Sequence, residues 1–302
     1  MNMRLVAACL FLSAASSVTA QIVLTNYPVA DTFVTSQYPA SNFGGAGALS
    51  VSGPIATNVI GQQAGLLDSF MRFDMSSVAS NFNSVLGLGR WVIGSVTLEL
   101  FEQTDVNNTI FNGGVGPFEI RWIGTNTWTE GTGKPNAQTT DGVVYNDEPA
   151  LLSYDLGSLG SFVNGGTDGV VRLSLATSAG FVSSISTGSL ISFFMTATTN
   201  STVGFTFHSR NFVDPTQFPF LEVTAILLPQ ITALVITGSD VKISFTTTNG
   251  LSYAVEYNSN LVTGIWNTVT NNIPGTGNII TITDSGAATL PRRFYRIDAS
   301  TQ

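Results

Sequence analysis

Histidine occurs once in this 302-residue chain, at His208, and cysteine once, at Cys9. Those two counts remove much of the usual catalytic repertoire. A Ser-His-Asp arrangement would have to recruit His208. Phe205 and Phe207 place that residue on a strand, and no Gly-x-Ser-x-Gly turn precedes it. Zinc, iron or copper sites built from imidazole and thiolate lack ligands. Carboxylate chemistry is what remains. Glycoside hydrolysis needs two acids about 5 to 10 Å apart. Glu99 with Glu102, Asp147 with Glu148, and Glu119 with Glu222 are candidate pairs, but 19 acidic residues make chance pairs expected. Tyr145 and Tyr154 are possible lyase bases with no nearby cation cluster in sequence.

Binding chemistry has more material. A sugar site on a β-sandwich combines an aromatic face, which stacks on the apolar side of a pyranose, with a few polar groups for the hydroxyls. Arg72, Glu119, Arg121, Trp128, His208 and Arg210 are the candidate ligand-binding residues. Oxygen-only ligation makes a structural calcium the one cofactor worth naming, with Asp31, Asp74 and Glu222 at expected strand ends as ligands. No regular calcium loop accompanies them. A glycine-rich stretch at Gly113–Gly116 has no helix after it and is expected to be a turn, not a phosphate cradle.

Strands must position these groups. Runs with period-two alternation, bounded by Gly, Asn and Asp, recur at Asp31–Thr35, Leu49–Ser52, Ser69–Phe73, Ser95–Phe101, Phe118–Ile123, Leu151–Asp155, Val170–Leu175, Leu190–Ala197, Val203–Ser209 and Phe218–Ile226. One short helical turn is expected at Gly157–Asn164, and almost nothing else has helical spacing. The fold class is therefore all-β: a jelly-roll β-sandwich of two packed sheets. Alternation puts Val96, Leu98, Leu100, Phe118, Ile120, Trp122, Phe205, Phe207, Leu221 and Val223 inside with Met71 and Phe73. It leaves Phe70, Arg72, Glu99, Phe101, Glu119, Arg121, His208, Arg210, Phe220 and Glu222 outside. After Pro229 six more strands are expected, at Ile231–Thr237, Val241–Thr247, Ser252–Tyr257, Trp266–Val269, Ile279–Thr283 and Arg293–Ile297. They suit a second, smaller β-sandwich over 229–302.

Residues 1–20 read as a cleavable secretory signal: Arg4, an apolar stretch from Leu5 to Ala15, then Val18-Thr-Ala20 before Gln21. Cleavage removes Cys9, so the mature chain has no disulfide and no thiolate. The expected location is secreted or extracellular. A net charge of −8 with only two lysines, Lys134 and Lys242, argues against nucleic acid and anionic lipid, and no second segment has the length of a membrane span. Sequons stand at Asn107 and Asn200.

Several segments resemble one family in their order. They are Ala30–Thr35 (ADTFVT), Asn42–Gly45 (NFGG), Leu49–Val51, Asp68–Met75 (DSFMRFDM), Gly94–Leu100 (GSVTLEL), Phe118–Trp122 (FEIRW), Trp128–Glu130 (WTE), Phe205–Arg210 (FTFHSR) and Phe218–Val223 (FPFLEV). Together they are similar to the DNRLRE domain family, jelly-roll modules of secreted and cell-surface polysaccharide-processing proteins. The resemblance spans roughly 28 to 226, within a domain set at 21–228. The smaller module resembles immunoglobulin- or fibronectin-like modules at the C-terminus of bacterial secreted proteins, through Ser252–Tyr257, Gly264–Trp266 and Arg293–Arg296. The first resemblance implies an exported, non-catalytic protein that attaches to polysaccharide or a cell-surface glycan. The alternatives are a structural or adhesive surface protein, and a polysaccharide hydrolase or lyase.

Overall fold

The computed structural model describes residues 21–57, 61, 65–103, 116–164, 168–198, 202–262, 264–290 and 292–301. The expected signal at 1–20, Asn107, Asn200 and most of the Gly113–Gly116 stretch lie outside the described residues. Two compact units are present, Ile22–Ile226 and Leu227–Gln302, dividing close to the boundary that Pro229 marks.

In the larger unit the strands are β1 (Gln21–Asn26), β2 (Pro28–Thr35), β3 (Ala48–Ser52), β4 (Leu67–Asp74), β5 (Trp91–Gln103), β6 (Gly116–Ile123), β7 (Asp155–Asn164), β8 (Gly169–Leu175), β9 (Leu190–Ala197), β10 (Gly204–His208) and β11 (Phe220–Leu227). Among the described residues three helices interrupt them: α1 (Ser76–Leu86), α2 (Glu148–Leu152) and α3 (Ala179–Ser186). The strands run β1-β11-β5-β10-β3-β4-β9-β6-β7, with β2 added to β4 and β8 to β5. The sheet curls on itself. Among the described residues Ser52↔Leu67 is the pairing that joins its two halves at β3 and β4. The core lies between the halves, where Phe118 of β6 meets Phe205 and Phe207 of β10 with ring centroids 5.6 and 5.8 Å apart. This is a jelly-roll-like β-sandwich, as the alternation requires.

Helical content exceeds the expectation. In α1, Val78, Ala79, Phe82 and Leu86 form one buried stripe, and Phe82 packs on Trp91 at 5.0 Å. In α3, Phe181 and Ile185, four residues apart, are buried, and Ser178 caps the helix by accepting from Phe181 N. The expected strand at Leu151–Asp155 is mostly the end of α2 and a turn. The expected helical turn at Gly157–Asn164 is instead strand β7, paired along β6 with two register shifts. Gly157 and Gly160 have φ of 118° and 155°, so the glycines mark irregular pairing rather than a chain break.

The smaller unit has β12 (Ile231–Thr237), β13 (Asp240–Thr246), β14 (Leu251–Asn258), β15 (Asn267–Pro274), β16 (Ile279–Asp284) and β17 (Phe294–Thr301), in sheets β12-β13-β16 and β15-β14-β17. Ile243 and Phe245 are buried with Tyr253 and Val255, the Phe245 and Tyr253 rings 5.8 Å apart. The Tyr253 hydroxyl, carried on a buried ring, accepts from Thr248 N at 2.8 Å. At one end Asp284 pairs with Arg293 and accepts from the Tyr295 hydroxyl, whose pKa burial pushes up to about 12.

Candidate functional site

Pairing registers place the outward residues of the first half in rows. Ala30, Arg72, Ser192 and Ile123 form one, and Thr32, Phe70, Phe194 and Arg121 the next. Beyond them stand Val34 opposite Asp68, and Thr196 opposite Glu119. Arg72, Glu119 and Arg121 therefore do share one sheet face. That face is not open. The connection from Gly124 to Tyr154 crosses it as a strap, and Trp128, Val143, Tyr145, Leu151 and Leu152 pack on Ala30, Val34, Phe70, Ile123 and Phe194. Phe70, expected outside, is completely buried for this reason.

The strap consumes the residues expected to bind. Arg72 reaches under it and donates through Nη1 to the carbonyls of Asn126 (2.9 Å) and Trp128 (2.6 Å), its guanidinium 4.8 Å from the Trp128 ring centre. Trp128 is 6% exposed, and its Nε1 donates to Ser192 Oγ, which donates on to Asn126 Oδ1. It is a core residue with a satisfied N–H, not a stacking platform. Arg121 lies between Asp155 and Glu119 Oε2 (3.0 Å). Trp122, expected in the core, is half-buried against Phe181 of α3, 5.6 Å away.

Asn42 fastens the far side of the strap. Its Nδ2 donates to the carbonyls of Glu130 and Val143, its Oδ1 accepts from Gly44 N and Gly133 N, and its own N–H reaches Thr139 O. Every hydrogen-bonding capacity of a buried amide is used. The nearby glycines follow from that closeness: a Cβ at Gly133 would stand 1.8 Å from Asn42 O, and one at Gly44 2.1 Å from Glu130 O. NFGG and WTE are the two halves of one clamp.

Arg210 closes the edge. Its N–H donates to Asp31 Oδ2 at 2.7 Å, and its guanidinium pairs with Glu130 Oε2 at 2.7 Å, while Asn211 donates to Glu130 Oε1. Asp31 is not at a strand end. It occupies an inward row with Met71, Phe193 and Trp122, is wholly buried, and leaves Oδ1 unbonded. Burial pushes its pKa up to about 8, opposed by the Arg210 N–H, so it is held largely as the neutral acid at pH 7. Asp74 instead is held by the Ser76 side chain and then its N–H at the start of α1, which lowers its pKa, and Glu222 pairs with Arg172 at 2.9 Å. The three proposed calcium ligands stand apart. Among the described residues no three acid or histidine side chains gather around a common point.

The other half of the sandwich presents a different outer face. Glu99 lies opposite Arg172, and Arg172 bridges Glu99 (2.6 Å) and Glu222 (2.9 Å) in an exposed ladder. Beside it His208 is held between two rings, Phe101 at 5.0 Å and Phe212 at 3.4 Å, with interplanar angles of 12° and 10°. His208 alternates with inward Phe207 and so faces outward, but the stack leaves it only 4% exposed. Nε2 lies 3.2 Å from Gln103 Oε1; Nδ1 is buried without a bond, with the Gln217 side chain beside the ring. Burial lowers the imidazole pKa, and Gln217, Asp168 and Asp214 partly restore it. Phe101, Gln103, Asp168, His208, Phe212 and Gln217 line a shallow trough of about 360 Å³.

Sequence reasoning found only His208 and the outward Phe101 of this trough. Phe212, Asp168 and Gln217 come from connections between strands, where alternation gives no direction. A somewhat larger hollow of about 420 Å³ lies along the strap, between Thr127–Thr129 and Thr140–Val143. It offers no free ring face, because Trp128 is buried. Its Asp141 carboxylate is taken up by Thr132 and Thr139, which hold its pKa down to about 2.

No family model and no curated protein matches the chain. Two solved structures show distant likeness. The structure of the Macrobrachium rosenbergii nodavirus has 13% identity and a TM-score of 0.24, with 100% of this chain and 96% of that chain covered. The Ruminococcus gnavus beta-glucuronidase has 8% identity and a TM-score of 0.24, with 96% of this chain and 45% of that chain covered.

Proposed function

We propose that this is an exported, non-catalytic β protein that attaches to polysaccharide, and that the contact is the His208 trough. The observation that carries the reading is the Phe101–His208–Phe212 stack with Gln103, Asp168 and Gln217 around it. Flat aromatic surface suits the apolar face of a pyranose ring, and amides with one carboxylate suit its hydroxyls. No arginine or lysine lines this trough, so a neutral glycan fits it better than a polyuronate. The ordered DNRLRE-like segments support the same direction, with the expected leader supplying export. Here, however, NFGG, DSFMRFDM and WTE serve to fasten the strap, and the ligand contact moves to the FTFHSR strand and Phe212.

Affinity electrophoresis and isothermal titration against a panel of neutral and acidic polysaccharides test the reading. Retention by a neutral glycan, weakened by Phe212→Ala, is expected; indifference to every glycan overturns it. One observation favours an adhesive protein instead: β12 carries Leu234, Val235 and Ile236 at 55, 50 and 70% exposure on a strand that, among the described residues, pairs only with β13. An apolar edge of that kind is a template for another chain. Retention of envelope proteins without any glycan would select that reading.

A further inference from the structure

Two carboxyl groups meet beneath the strap that neither the trough nor the clamp uses. Asp68 lies on the covered face of β4, two residues before Phe70, and is buried; Glu148 opens α2, which the strap lays over that face. Asp68 Oδ1 and Glu148 Oε2 are both buried oxygens with no donor. Each carboxyl has the other as a side-chain neighbour, and Thr196 adjoins Asp68. Among the described residues neither acid forms an ion pair; Arg121, the nearest cation by register, is taken up by Glu119 and Asp155. Two ionised carboxylates in this position would repel across an apolar layer with nothing to compensate them. A single proton held between them supplies a donor for one orphaned oxygen and removes one charge.

We propose that Asp68 and Glu148 form a carboxylic acid–carboxylate pair that shares one proton, and that release of this proton to solvent loosens the α2 end of the strap. Both groups have raised pKa values, by burial first; Glu148 is raised further by Asp68, while Thr196 draws Asp68 back. The groups facing the pair are few. Tyr145 stands beside it from the turn before α2, its own pKa raised by burial and then by Glu148 and Asp68. Thr196 faces it from β9, Val34 stands opposite on β2, and Glu119 is one strand further on β6. The sign follows from linkage. Acids raised in the fold favour it fully below their unfolded pKa near 4, and that stability is lost as pH rises through the folded values. The strap is tightest in mild acid and loosens on the alkaline side.

The test uses the full chain labelled with carboxyl ¹³C in Asp and Glu, titrated by NMR from pH 4 to 10, with hydrogen exchange of the 145–154 peptide at each pH. Asp31→Asn serves as the background, because Asp31 titrates in the same range. One proton leaving the Asp68–Glu148 pair above pH 6, together with an at least tenfold fall by pH 9 in the protection of 145–154 (exchange relative to the intrinsic amide rate at each pH), is expected. Glu148→Gln, or Asp68→Asn should the first misfold, is expected to abolish both changes. Ordinary titration of both acids near pH 4, or an alkaline loss of protection that Glu148→Gln leaves unchanged, overturns the proposal. So does calcium chloride at neutral pH, if it shifts both carboxyl resonances and slows exchange of 145–154, since a cation would then be the occupant.

Discussion

The two outer faces of the large sandwich come from similar alternating strands and end up with opposite fates. On β2, β4, β9 and β6, the strap converts an outward row into a second, smaller core, with Phe70, Phe194 and Trp128 at its centre. On β8, β5 and β10 no segment of that length crosses among the described residues, and the outward residues remain a charge ladder beside an aromatic trough. A strand's alternation states which side chains share a face. It does not state what lies above that face. The arginines that look like ligands in sequence are on the covered side and serve as fasteners, while the proposed contact surface lies on the uncovered one.

Several variants would break or sharpen that contrast. The largest effect belongs to Asp31→Asn. Asp31 stability is full below pH 4 and lost as pH rises toward 8, so the amide, which never ionises, should raise stability at pH 8 by roughly 4–5 kcal/mol and leave pH 4 nearly unchanged. Destabilisation at both pH values would show that the carboxylate form is needed. Asn42→Ala comes next, because it leaves two buried carbonyls and two N–H groups unmatched at once. A loss of about 3–5 kcal/mol in urea unfolding is expected, with the strap opening first in hydrogen exchange. A loss under 1 kcal/mol would mean the clamp is decorative. Phe212→Ala follows: glycan affinity should fall about tenfold, equivalent to about 1.4 kcal/mol, while strap exchange stays as in the parent. Smallest is Arg172→Ala on the exposed ladder, expected to cost about 0.5 kcal/mol or less and to vanish in high salt. A larger loss would make the uncovered face a structural element too.

How much of this was legible depends on the distance over which each residue finds its partner. β12 was readable residue for residue, because an alternating run bounded by turn residues carries its own signal. The core rows through Leu98, Phe118 and Phe207 were readable for the same reason. α1 was missed although Val78, Phe82 and Leu86 have helical spacing: its Ser and Asn residues are indifferent helix formers, its first turn has no acid, and Met75 gives no side-chain cap. Phe70 reads as outward because its cover, Trp128 and Val143, arrives from residues more than fifty positions away. Arg210 reads as a ligand residue because nothing local reveals Asp31, 179 residues earlier, or Glu130, 80 residues earlier.

The pairing of β1 with β11 has a kinetic consequence. The strand that opens the large sandwich hydrogen-bonds to the strand that ends it, so nearly two hundred residues of chain must be made and brought back before that seam can close. Contacts of such separation are slow to form. Until they do, β11 exposes a bare ladder of amides and carbonyls, and newly made molecules are most prone to pair with one another during that interval.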